Sequence, residues 1–408
     1  MMNGRRNNLT TAKRLILKKG REKPVKHKHP WIFSGAVERI EGDPAPGETI
    51  EIRSFGGEFL AQGAYSPESQ IRARVWSWLQ DEDISVDFFR SKVKQAIKYR
   101  EHIKHDSPMK RLIHAESDSL PGLVVDQYGE VLVLQLLSVG SELWREDLIQ
   151  ILTEETRAKS IYERSDVEVR NLEGLEPRTG LVFGQEIDEL LRIEQGGLQY
   201  WIDIRNGNKT GYYLDQRENR EIVGGLCSGL SVLDCFCYSG GFSMQALKNG
   251  AESVTLIDES AGALKLAEKH MISNQLPVEH MTTQKGDVFE VLRKFRDQAK
   301  SFDVIIMDPP KFAPTASFAD RAARGYKDIN LLAFKLLKPG GLLATFSCSG
   351  GISRDFFLRI LSGAALDAGV NARIQLHMGQ SADHSINLSF PEGTYLKGYG
   401  IRVDKEEV

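Results

Sequence analysis

The chain has 408 residues, of which 27% are charged and 41% are hydrophobic, and this length is sufficient for two or three domains. No apolar run approaches the roughly 20 residues of a membrane-spanning helix, and the N-terminus has no apolar segment typical of a secretory signal. The formal net charge of −3 argues against a uniformly basic nucleic-acid-binding protein.

The charge is unevenly distributed. Residues 1–30 contain ten Lys or Arg residues and one acidic residue, so ten minus one gives this segment +9 and leaves −12 for the remainder. A basic segment beside the aromatic stretch HPWIFSG could contact a phosphate backbone. We therefore expect RNA contact from Lys18, Lys19 and Trp31. Residues 1–12 are equally compatible with RNA contact and with a solvated tail.

The four cysteines are Cys227, Cys235, Cys237 and Cys348. Their spacing fits neither a disulfide framework nor a zinc site. This pattern predicts free thiols, no metal and a cytoplasmic location.

The first half of the chain predicts two domains. Residues 13–80 alternate short β-rich runs with turn residues, which is typical of a small β-barrel. A helix is expected over about 86–104 with Ser85 as its N-cap, followed over 111–184 by a compact α+β segment in the order strand, strand, strand, helix, strand. The predicted buried face of the helix carries Val86, Phe89, Val93, Ile97 and Ile103.

The second half predicts a Rossmann-like domain. Gly196 and Gly197 indicate a β-hairpin turn, and from about residue 221 strands alternate with helices, as in an open, doubly wound parallel sheet. The expected fold is therefore multi-domain α/β, with an N-terminal β-barrel at 10–85, a central α+β domain at 86–185 and the Rossmann-like sheet within 186–408.

Acidic residues are expected at the ends of three successive strands, namely Asp234, Asp258 and Asp287. An acid at the end of the second strand can accept hydrogen bonds from ribose hydroxyls. The turn after Asp234 lacks the GxGxxG pattern that cradles a pyrophosphate, which favours S-adenosylmethionine over NAD. For each acid taken singly, a turn or N-cap role is the alternative.

The stretches MDPPKF and LLATFSCSGG predict a reacting site. Asp308 follows the fourth strand and Cys348 follows the fifth, so they share one crevice if these strands are neighbours about 4.8 Å apart. A cysteine is often a small buried apolar residue, but this one lies beyond the end of its strand. A thiolate beside a methyl donor suits the C5 carbon of a pyrimidine, because addition to C6 makes C5 nucleophilic. A carboxylate facing the N3/N4 edge favours cytosine, and Asp308 is the candidate.

At these residues the chain resembles the bacterial large-subunit rRNA cytosine-C5 methyltransferases of the RlmI type. The matching stretches include HPWIFSGAVERIEG, NGNKTGYYLDQRENR, LDCFCYSGGFS, FDVIIMDPPKF, RGYKDINLLAFKLLKPGG, FSCSGG and FPEGTYLKG. The resemblance implies an N-terminal PUA domain, a class I methyltransferase domain, S-adenosylmethionine as donor and a cytosine of 23S rRNA as acceptor.

The resemblance also assigns roles to residues. It implies that Cys348 is the nucleophile and that Tyr213 and Arg217 close the cofactor pocket near the methionine end. The lining of that pocket would comprise Asp234, Phe236, Ser239, Gly240, Asp258, Asp287, Val288 and Asp308. Many related enzymes carry a second cysteine where this chain has Pro310, so the base that removes the C5 proton stays open between Asp308, a water molecule and an unassigned group.

Four basic residues near the predicted active site are candidates for phosphate contact, with a solvated basic loop as the alternative: Lys311, Arg321, Arg324 and Lys327. Two other functions stay open. An exocyclic-amine methyltransferase would suit the Asp-Pro-Pro motif but would leave Cys348 without a role, and a non-catalytic RNA-binding assembly factor would hold the cofactor without turnover. Whether the chain forms a homodimer is also open.

Overall fold

The computed structural model describes residues 13–103, 107–313 and 318–404, so the N-terminal residues 1–12 lie outside the described part. The chain forms two compact units. The first comprises the described residues up to Ile193 together with Ile202–Tyr212 and Ala382–Gly393, and the second comprises Glu194–Trp201, Tyr213–Ser381 and the described residues from Thr394 onward. Within the described ranges, every helix is too short or too polar to cross a membrane.

A six-stranded sheet forms the N-terminal part of the first unit, in the order β2-β6-β5-β4-β1-β3. Strand β1 pairs in parallel with β4, and the other neighbours are antiparallel. Alternate side chains such as Ile50 and Ile52 point into a buried apolar core, as expected for a half-buried sheet. The predicted β-rich domain is confirmed. Its elements are β1 Arg14–Leu17, α1 Lys23–Lys26, β2 Trp31–Phe33, β3 Val37–Glu41, β4 Thr49–Arg53, β5 Phe59–Tyr65 and β6 Ile71–Ser77.

A five-stranded sheet with the order β11-β10-β9-β8-β7 forms the central part, with helices beside it. The predicted α+β segment is confirmed, with two differences. Its long helix is divided at Trp144, and strand β11 was not predicted because its side chains are mostly exposed and show no apolar alternation. The elements are α2 Val86–Glu101, β7 Met109–His114, β8 Leu123–Tyr128, β9 Val131–Leu136, α3 Val139–Leu143, α4 Arg145–Glu155, β10 Ser160–Ser165 and β11 Arg178–Gly184.

Helix α2 buries a slightly different face from the predicted one. Phe89 and Val93 are buried as expected, but Val86 is 36% exposed and Phe88 is buried. Ser85 occupies the N-cap position with an extended backbone, but its side chain makes no capping hydrogen bond.

The predicted hairpin is confirmed. Strand β12 (Leu191–Gln195) pairs with β13 (Leu198–Ile202), and Gly196 and Gly197 have φ values of 58° and 70°. Two consecutive left-handed residues define the turn type that matches the twist of a hairpin, and glycine adopts them without a steric penalty.

The second unit contains a seven-stranded sheet in the order β16-β15-β14-β17-β18-β20-β19. The first five strands are parallel, and β20 is antiparallel to both of its neighbours. The elements are α5 Arg217–Gly224, β14 Ser231–Cys235, α6 Gly241–Lys248, β15 Ser253–Asp258, α7 Ala261–Ser273, β16 Met281–Lys285, α8 Val288–Asp297, β17 Phe302–Met307, α9 Ala319–Leu336, β18 Leu337–Ser347, α10 Arg354–Ala368, β19 Asn371–Met378 and β20 Lys397–Asp404.

This topology confirms the predicted doubly wound sheet. The chain order runs outward from β14 to β16 and then returns to β17 and β18 on the other side of β14, so the direction of winding reverses between β14 and β17. Ligands bind in open α/β sheets at such a reversal, outside the carboxyl ends of the strands. The central strands are buried on both faces, as the continuous burial of residues 342–347 shows.

Candidate active site

The turn after β14, residues 236–240, is here called the cofactor loop. Phe236, Tyr238 and Gly240 have φ values of 60°, 48° and 74°, an uncommon conformation for the two aromatic residues. The backbone N–H of Cys237 donates to the Ile257 carbonyl at 3.1 Å, and the Tyr238 N–H donates to Asp258 Oδ2 at 2.9 Å. The loop is therefore held tightly against the end of β15.

Asp234 lies one residue before the end of β14 and is 1% exposed. Its Oδ2 accepts hydrogen bonds from the Ser243 N–H at 3.2 Å and hydroxyl at 2.7 Å. Burial raises the pKa of this carboxyl to about 7, although the Ser243 bonds act in the opposite direction. Asp234 Oδ1 and Ser239 Oγ are both buried and have no hydrogen-bond partner among the described residues, which is unusual enough to indicate a missing ligand.

Asp258 and Asp287 occupy different positions. Asp258 ends β15 as predicted, and its Oδ1 accepts from the Ser260 N–H at 2.9 Å. The prediction that Asp287 ends a strand is wrong, because β16 stops at Lys285 and Asp287 instead caps helix α8, accepting from the Glu290 N–H at 3.0 Å. A short carboxylate satisfies an orphan N–H of the first turn in this way. Val288, the first residue of α8, is buried.

His270 supports the cofactor loop from behind and was not singled out in the sequence. Its Nε2 accepts from the Trp201 N–H at 2.8 Å, so Nδ1 carries the proton and donates to the Ser239 carbonyl at 2.9 Å. Burial lowers the pKa of this imidazole, which keeps it neutral. Its only sequence signal is a place on the buried face of α7, where a histidine resembles a core residue.

The cofactor loop and its acids fit S-adenosylmethionine. Asp234 and Asp258 offer acceptors for an ammonium and for ribose hydroxyls. Asp234 Oδ1 and Ser239 Oγ have no hydrogen-bond partner among the described residues and can bond to such a ligand. The loop is folded by two non-glycine left-handed residues and has no run of glycine amides of the kind that surrounds a pyrophosphate.

Asp308 and Cys348 lie beyond the ends of adjacent strands. Strands β17 and β18 are parallel neighbours with Met307 opposite Thr345, so the predicted adjacency is confirmed. Cys348 directly follows the last residue of β18 and is partly exposed, whereas Cys227, Cys235 and Cys237 are buried. Cys348 is therefore the thiol most accessible to a substrate.

Tyr213 belongs to the same site. Its ring packs edge-on against Tyr238 of the cofactor loop, with centroids 5.5 Å apart. Burial raises the pKa of its phenol, and the charges of Asp308, Tyr238, Asp215 and Cys348 act in the same direction. Tyr213 therefore contacts the cofactor loop and interacts electrostatically with both reacting groups.

Two buried arginines follow Tyr213. Arg217 begins helix α5 and is 4% exposed. Arg220 was not singled out in the sequence, but its Nη1 donates to the Tyr213 carbonyl at 2.9 Å. Its charge favours the ionised form of Asp234.

The turn after β18, residues 348–352, is here called the cysteine turn. It is anchored by side chains that sequence reasoning did not identify. Ser349 Oγ accepts from the Ala313 N–H at 3.0 Å and bonds to the Tyr326 hydroxyl at 2.9 Å. Lys397 Nζ donates to the Ser349 carbonyl at 2.8 Å and to the Ile352 carbonyl at 2.9 Å. Tyr326 and Lys397 lie in stretches that resemble the methyltransferase family, but no local sequence pattern identifies either residue as part of the site.

The four basic candidates differ in accessibility. Lys311, Arg321 and Arg324 are exposed, and the two arginines lie in the first two turns of α9. Lys327 pairs with Asp367 at 2.7 Å, so its charge is already partly compensated. The alternative of a solvated basic surface therefore suits Lys327 better than the other three.

Of the N-terminal candidates, Trp31 lines a small cavity of about 200 Å³. The Trp31 indole N–H donates to Glu116 at 2.8 Å, and its ring packs against Phe390 with centroids 4.8 Å apart. Phe33 is 48% exposed. Lys18 and Lys19 are exposed. The cavity is lined by Leu17, Arg21, Pro24, Val25, His29, Trp31, Ile32, Phe33 and Ala36.

No group of three or more His, Cys, Asp or Glu side chains in the described ranges could hold a metal ion. The four cysteines, all of which are described, form no disulfide.

Two protein families match the chain. Residues 15–78 match the PUA-like domain, and residues 178–374 match the S-adenosylmethionine-dependent methyltransferase family. Among solved structures, a SAM-dependent methyltransferase from Streptococcus mutans superposes with a TM-score of 0.83, at 20% identity, over 95% of this chain and 99% of that one. A methyltransferase complexed with SAH gives a TM-score of 0.82, at 20% identity and the same coverage. At these identities the structural likeness shows the fold.

Curated relatives are much more similar in sequence. A protein of Shewanella amazonensis named ribosomal RNA large subunit methyltransferase I is 47% identical over 392 residues, which is 96% of this chain and 99% of the relative. A protein of the same name from Erwinia tasmaniensis is 48% identical, with the same coverage. The predicted cofactor is confirmed, since the domain that contains the acids and the cofactor loop is an S-adenosylmethionine-dependent methyltransferase domain. The chain belongs to the ribosomal RNA large subunit methyltransferase I family.

Proposed function

We propose that the protein methylates the C5 carbon of a cytosine in 23S rRNA through a covalent bond between Cys348 Sγ and the C6 carbon. The observation that carries this proposal is the partly exposed thiol beyond the end of β18, next to the strand that Asp308 follows. The rRNA substrate is supported by the names of relatives about 47% identical over nearly the whole chain.

The proposed reaction balances without a further reactant. S-adenosylmethionine supplies an electrophilic methyl group. The Cys348 thiolate would add to C6, and the electron pair of the C5–C6 double bond would form a bond from C5 to the methyl carbon. The methyl–sulfonium bond would break in the same step, with its electron pair staying on the sulfur of the leaving S-adenosylhomocysteine. A base then removes the C5 proton, the double bond reforms, and the C6–S bond breaks with its electron pair returning to Sγ.

Asp308 and Tyr213 are proposed to orient the target cytosine. Asp308 follows β17 at the same edge of the sheet as Cys348, and both groups interact electrostatically with Tyr213. A carboxylate at this position can accept a hydrogen bond from the cytosine N4 amine, whereas uracil offers a carbonyl there. Asp308 is also one candidate for removal of the C5 proton.

The cofactor pocket is proposed to comprise the residues that the family resemblance indicates. Asp234 and Ser239 would receive the methionine end, closed by Tyr213 and Arg217, and Asp258 would accept from the ribose hydroxyls. Asp287 and Val288, at the start of α8, would contact the adenine. Phe236, Gly240 and Asp308 would complete the lining.

The N-terminal sheet is proposed to hold RNA. Its cavity of about 200 Å³ is lined mainly by apolar side chains, with Trp31, His29 and Arg21 among them. Exposed Lys18 and Lys19 lie on the adjoining segment. Aromatic and cationic groups together suit an unstacked base and its phosphates, while Lys311, Arg321 and Arg324 would contact phosphates near Cys348. A target base is expected to leave its stack to reach the thiol.

Three functional domains are proposed at 10–85, 86–185 and 186–408. In the first unit, the N-terminal and central sheets are joined by buried ion pairs, since Arg74 contacts Glu173 at 2.8 Å and Glu116 at 3.5 Å. These two domains are therefore proposed to act as one rigid RNA-binding part, although the PUA-like family match covers only residues 15–78 of it.

Replacement of the nucleophile tests the proposal. We expect Cys348→Ala to abolish 5-methylcytosine formation, measured by nucleoside mass spectrometry of 23S rRNA in a deletion strain complemented with each variant. Cys227→Ala, which removes a buried thiol from outside the site, serves as the control. Full methylation by Cys348→Ala would contradict the proposal and favour an exocyclic-amine acceptor.

A suicide substrate tests the covalent step separately. RNA containing 5-fluorocytosine cannot lose a proton from C5, so the wild-type protein should form an adduct that survives denaturation, and Cys348→Ala should not. An unchanged 5-methylcytidine content in the deletion strain would instead favour a non-catalytic assembly factor.

A further inference from the structure

Lys397 is a buried cation beside the proposed nucleophile. It begins β20, and the antiparallel register places it opposite Ser347, the residue before Cys348. The residue is 5% exposed. A long charged side chain is rarely buried without a specific partner.

The partners of Lys397 are carbonyls of the cysteine turn. Its Nζ donates to Ser349 O at 2.8 Å and Ile352 O at 2.9 Å, and among the described residues no carboxylate pairs with it. An ammonium has three N–H donors, so these two bonds leave a third. One side chain thereby holds the carbonyl that precedes Gly350 and the carbonyl of Ile352, which follows Gly351.

The same turn is fixed from two other elements. The Tyr326 hydroxyl of α9 and the Ala313 N–H both bond to Ser349 Oγ. The Gly351 N–H donates to the Ala313 carbonyl at 3.3 Å. The cysteine turn is thus joined to the chain that follows Asp308, and Lys397 completes its anchorage from β20.

Several charged and titratable groups face this pair. Lys397 interacts electrostatically with Cys348, with Arg354 at the start of α10 and with Lys311. Burial, Arg354 and Lys311 disfavour the ammonium and lower the pKa of Lys397 to about 8, whereas Cys348 favours it. The groups that face Cys348 also include Asp308, Tyr213 and Tyr326.

We propose that Lys397 is a positioning residue that fixes the cysteine turn and stabilises the thiolate form of Cys348. The inference rests on the proposed function, because it gives Cys348 the role of nucleophile. Electrostatic coupling is reciprocal, so a thiolate that favours the ammonium is favoured by it to the same extent. Cationic neighbours activate nucleophilic cysteines in this way.

The thiol itself provides a readout that is independent of methylation. The pH dependence of Cys348 alkylation by iodoacetamide is measured on the full-length protein by peptide mass spectrometry, which separates Cys348 from the three buried thiols. If the protein did not methylate cytosine, this pH profile would still be measurable and unchanged. A failure of the proposed function can therefore be distinguished from a failure of the proposed role of Lys397.

Three substitutions separate charge from anchorage. Lys397→Gln can still donate to both carbonyls but has no charge. Lys397→Met has no charge and no hydrogen-bond donor, and Lys397→Arg keeps the charge. We expect the Gln and Met variants to raise the alkylation midpoint by at least one pH unit and to slow alkylation at pH 7 about tenfold. The Arg variant should stay near the wild-type midpoint.

Two controls test the specificity of that shift. Lys335→Met removes an exposed lysine of α9 and should leave the profile unchanged. Arg354→Gln removes a nearby cation that has no bond to the turn carbonyls, and it should shift the midpoint by much less than Lys397→Gln. An equal shift from Arg354→Gln would overturn the proposal.

Other results would also overturn it. A folded Lys397→Gln variant with the wild-type midpoint excludes thiolate stabilisation. Rapid adduct formation by that variant without product release would instead make Lys397 the base that removes the C5 proton. If neither neutral variant folds, the wild-type midpoint is compared with that of a peptide of residues 342–351, and a midpoint equal to or above the peptide value overturns the proposal.

Discussion

The cofactor loop and the cysteine turn lie at the same edge of one sheet, but they are held in different ways. The cofactor loop is shaped by its own left-handed residues, and its backbone bonds to Asp258 and His270, which lie 20 and 31 residues from their partners in the loop. The cysteine turn is held by Tyr326 and Lys397, which lie 23 and 48 residues from Ser349. The donor site thus depends on the backbone conformation of its own loop and on the neighbouring β15 and α7, whereas the reacting site depends on side chains from α9 and β20.

This difference predicts that a backbone change in the cofactor loop damages donor binding most. Gly240 has a φ of 74°, and a Cβ there would lie 2.9 Å from the Ala267 Cβ and 3.1 Å from Leu256 Cδ2. Backbone strain and crowding of this kind cost about 1–3 kcal/mol. We expect Gly240→Ala to weaken S-adenosylmethionine binding by roughly tenfold to a hundredfold, measured by isothermal titration calorimetry.

Gly262→Ala is the matched control for that change. Gly262 lies in helix α7, where a Cβ would lie 3.7 Å from Ser260 Oγ, an ordinary van der Waals distance. Alanine there should preserve affinity and stabilise the helix by up to about 1 kcal/mol. Wild-type affinity in Gly240→Ala would mean that the left-handed turn is not needed for the donor.

The second expected effect is a pH dependence confined to the donor site. The pKa of Asp234 is raised to about 7, so the carboxylate becomes protonated as the pH falls through 7. If the ionised form receives the ammonium, the affinity for S-adenosylmethionine should fall about tenfold from pH 8 to pH 6. Isothermal titration calorimetry between pH 6 and pH 8 measures this affinity.

Asp234→Asn is the control for the titration. Asparagine keeps the shape and an acceptor oxygen but does not titrate, so its weaker affinity should be nearly constant between pH 6 and pH 8. The same pH slope in wild type and Asp234→Asn would assign the effect to another group.

The smallest expected effect concerns the cysteine turn. Tyr326→Phe removes the hydroxyl that bonds to Ser349 Oγ but leaves the bonds from Ala313 and Lys397. Loss of one such bond is worth about 1 kcal/mol, so kcat should fall about fivefold while donor affinity stays unchanged. Methylation kinetics and calorimetry measure the two quantities, with exposed Tyr99→Phe as control. A loss of donor affinity would show that the two regions are not independent.

Much of the donor site could be predicted because its signals are local. Strands β14 and β15 are apolar runs that end near acids, and Asp258 lies where the sequence placed it. Asp287 was predicted to end a strand, but it lies two residues beyond β16 and caps helix α8. Aspartate is favoured both at turns and at helix caps, so the sequence does not distinguish the two positions. The sequence pattern did not identify His270 as part of the site, because a histidine on the apolar face of a helix resembles a core residue.

The sequence by itself determined the parallel strands of the second unit, the glycine hairpin turn and the choice of Cys348 and Asp308 as candidates. Apolar runs and turn residues mark these features because burial and turn conformation leave a pattern in adjacent residues. Only the tertiary structure brought Lys397 to the cysteine turn. That contact depends on the antiparallel register of β20 against β18, and a register is selected by the burial of whole strands rather than by any short pattern.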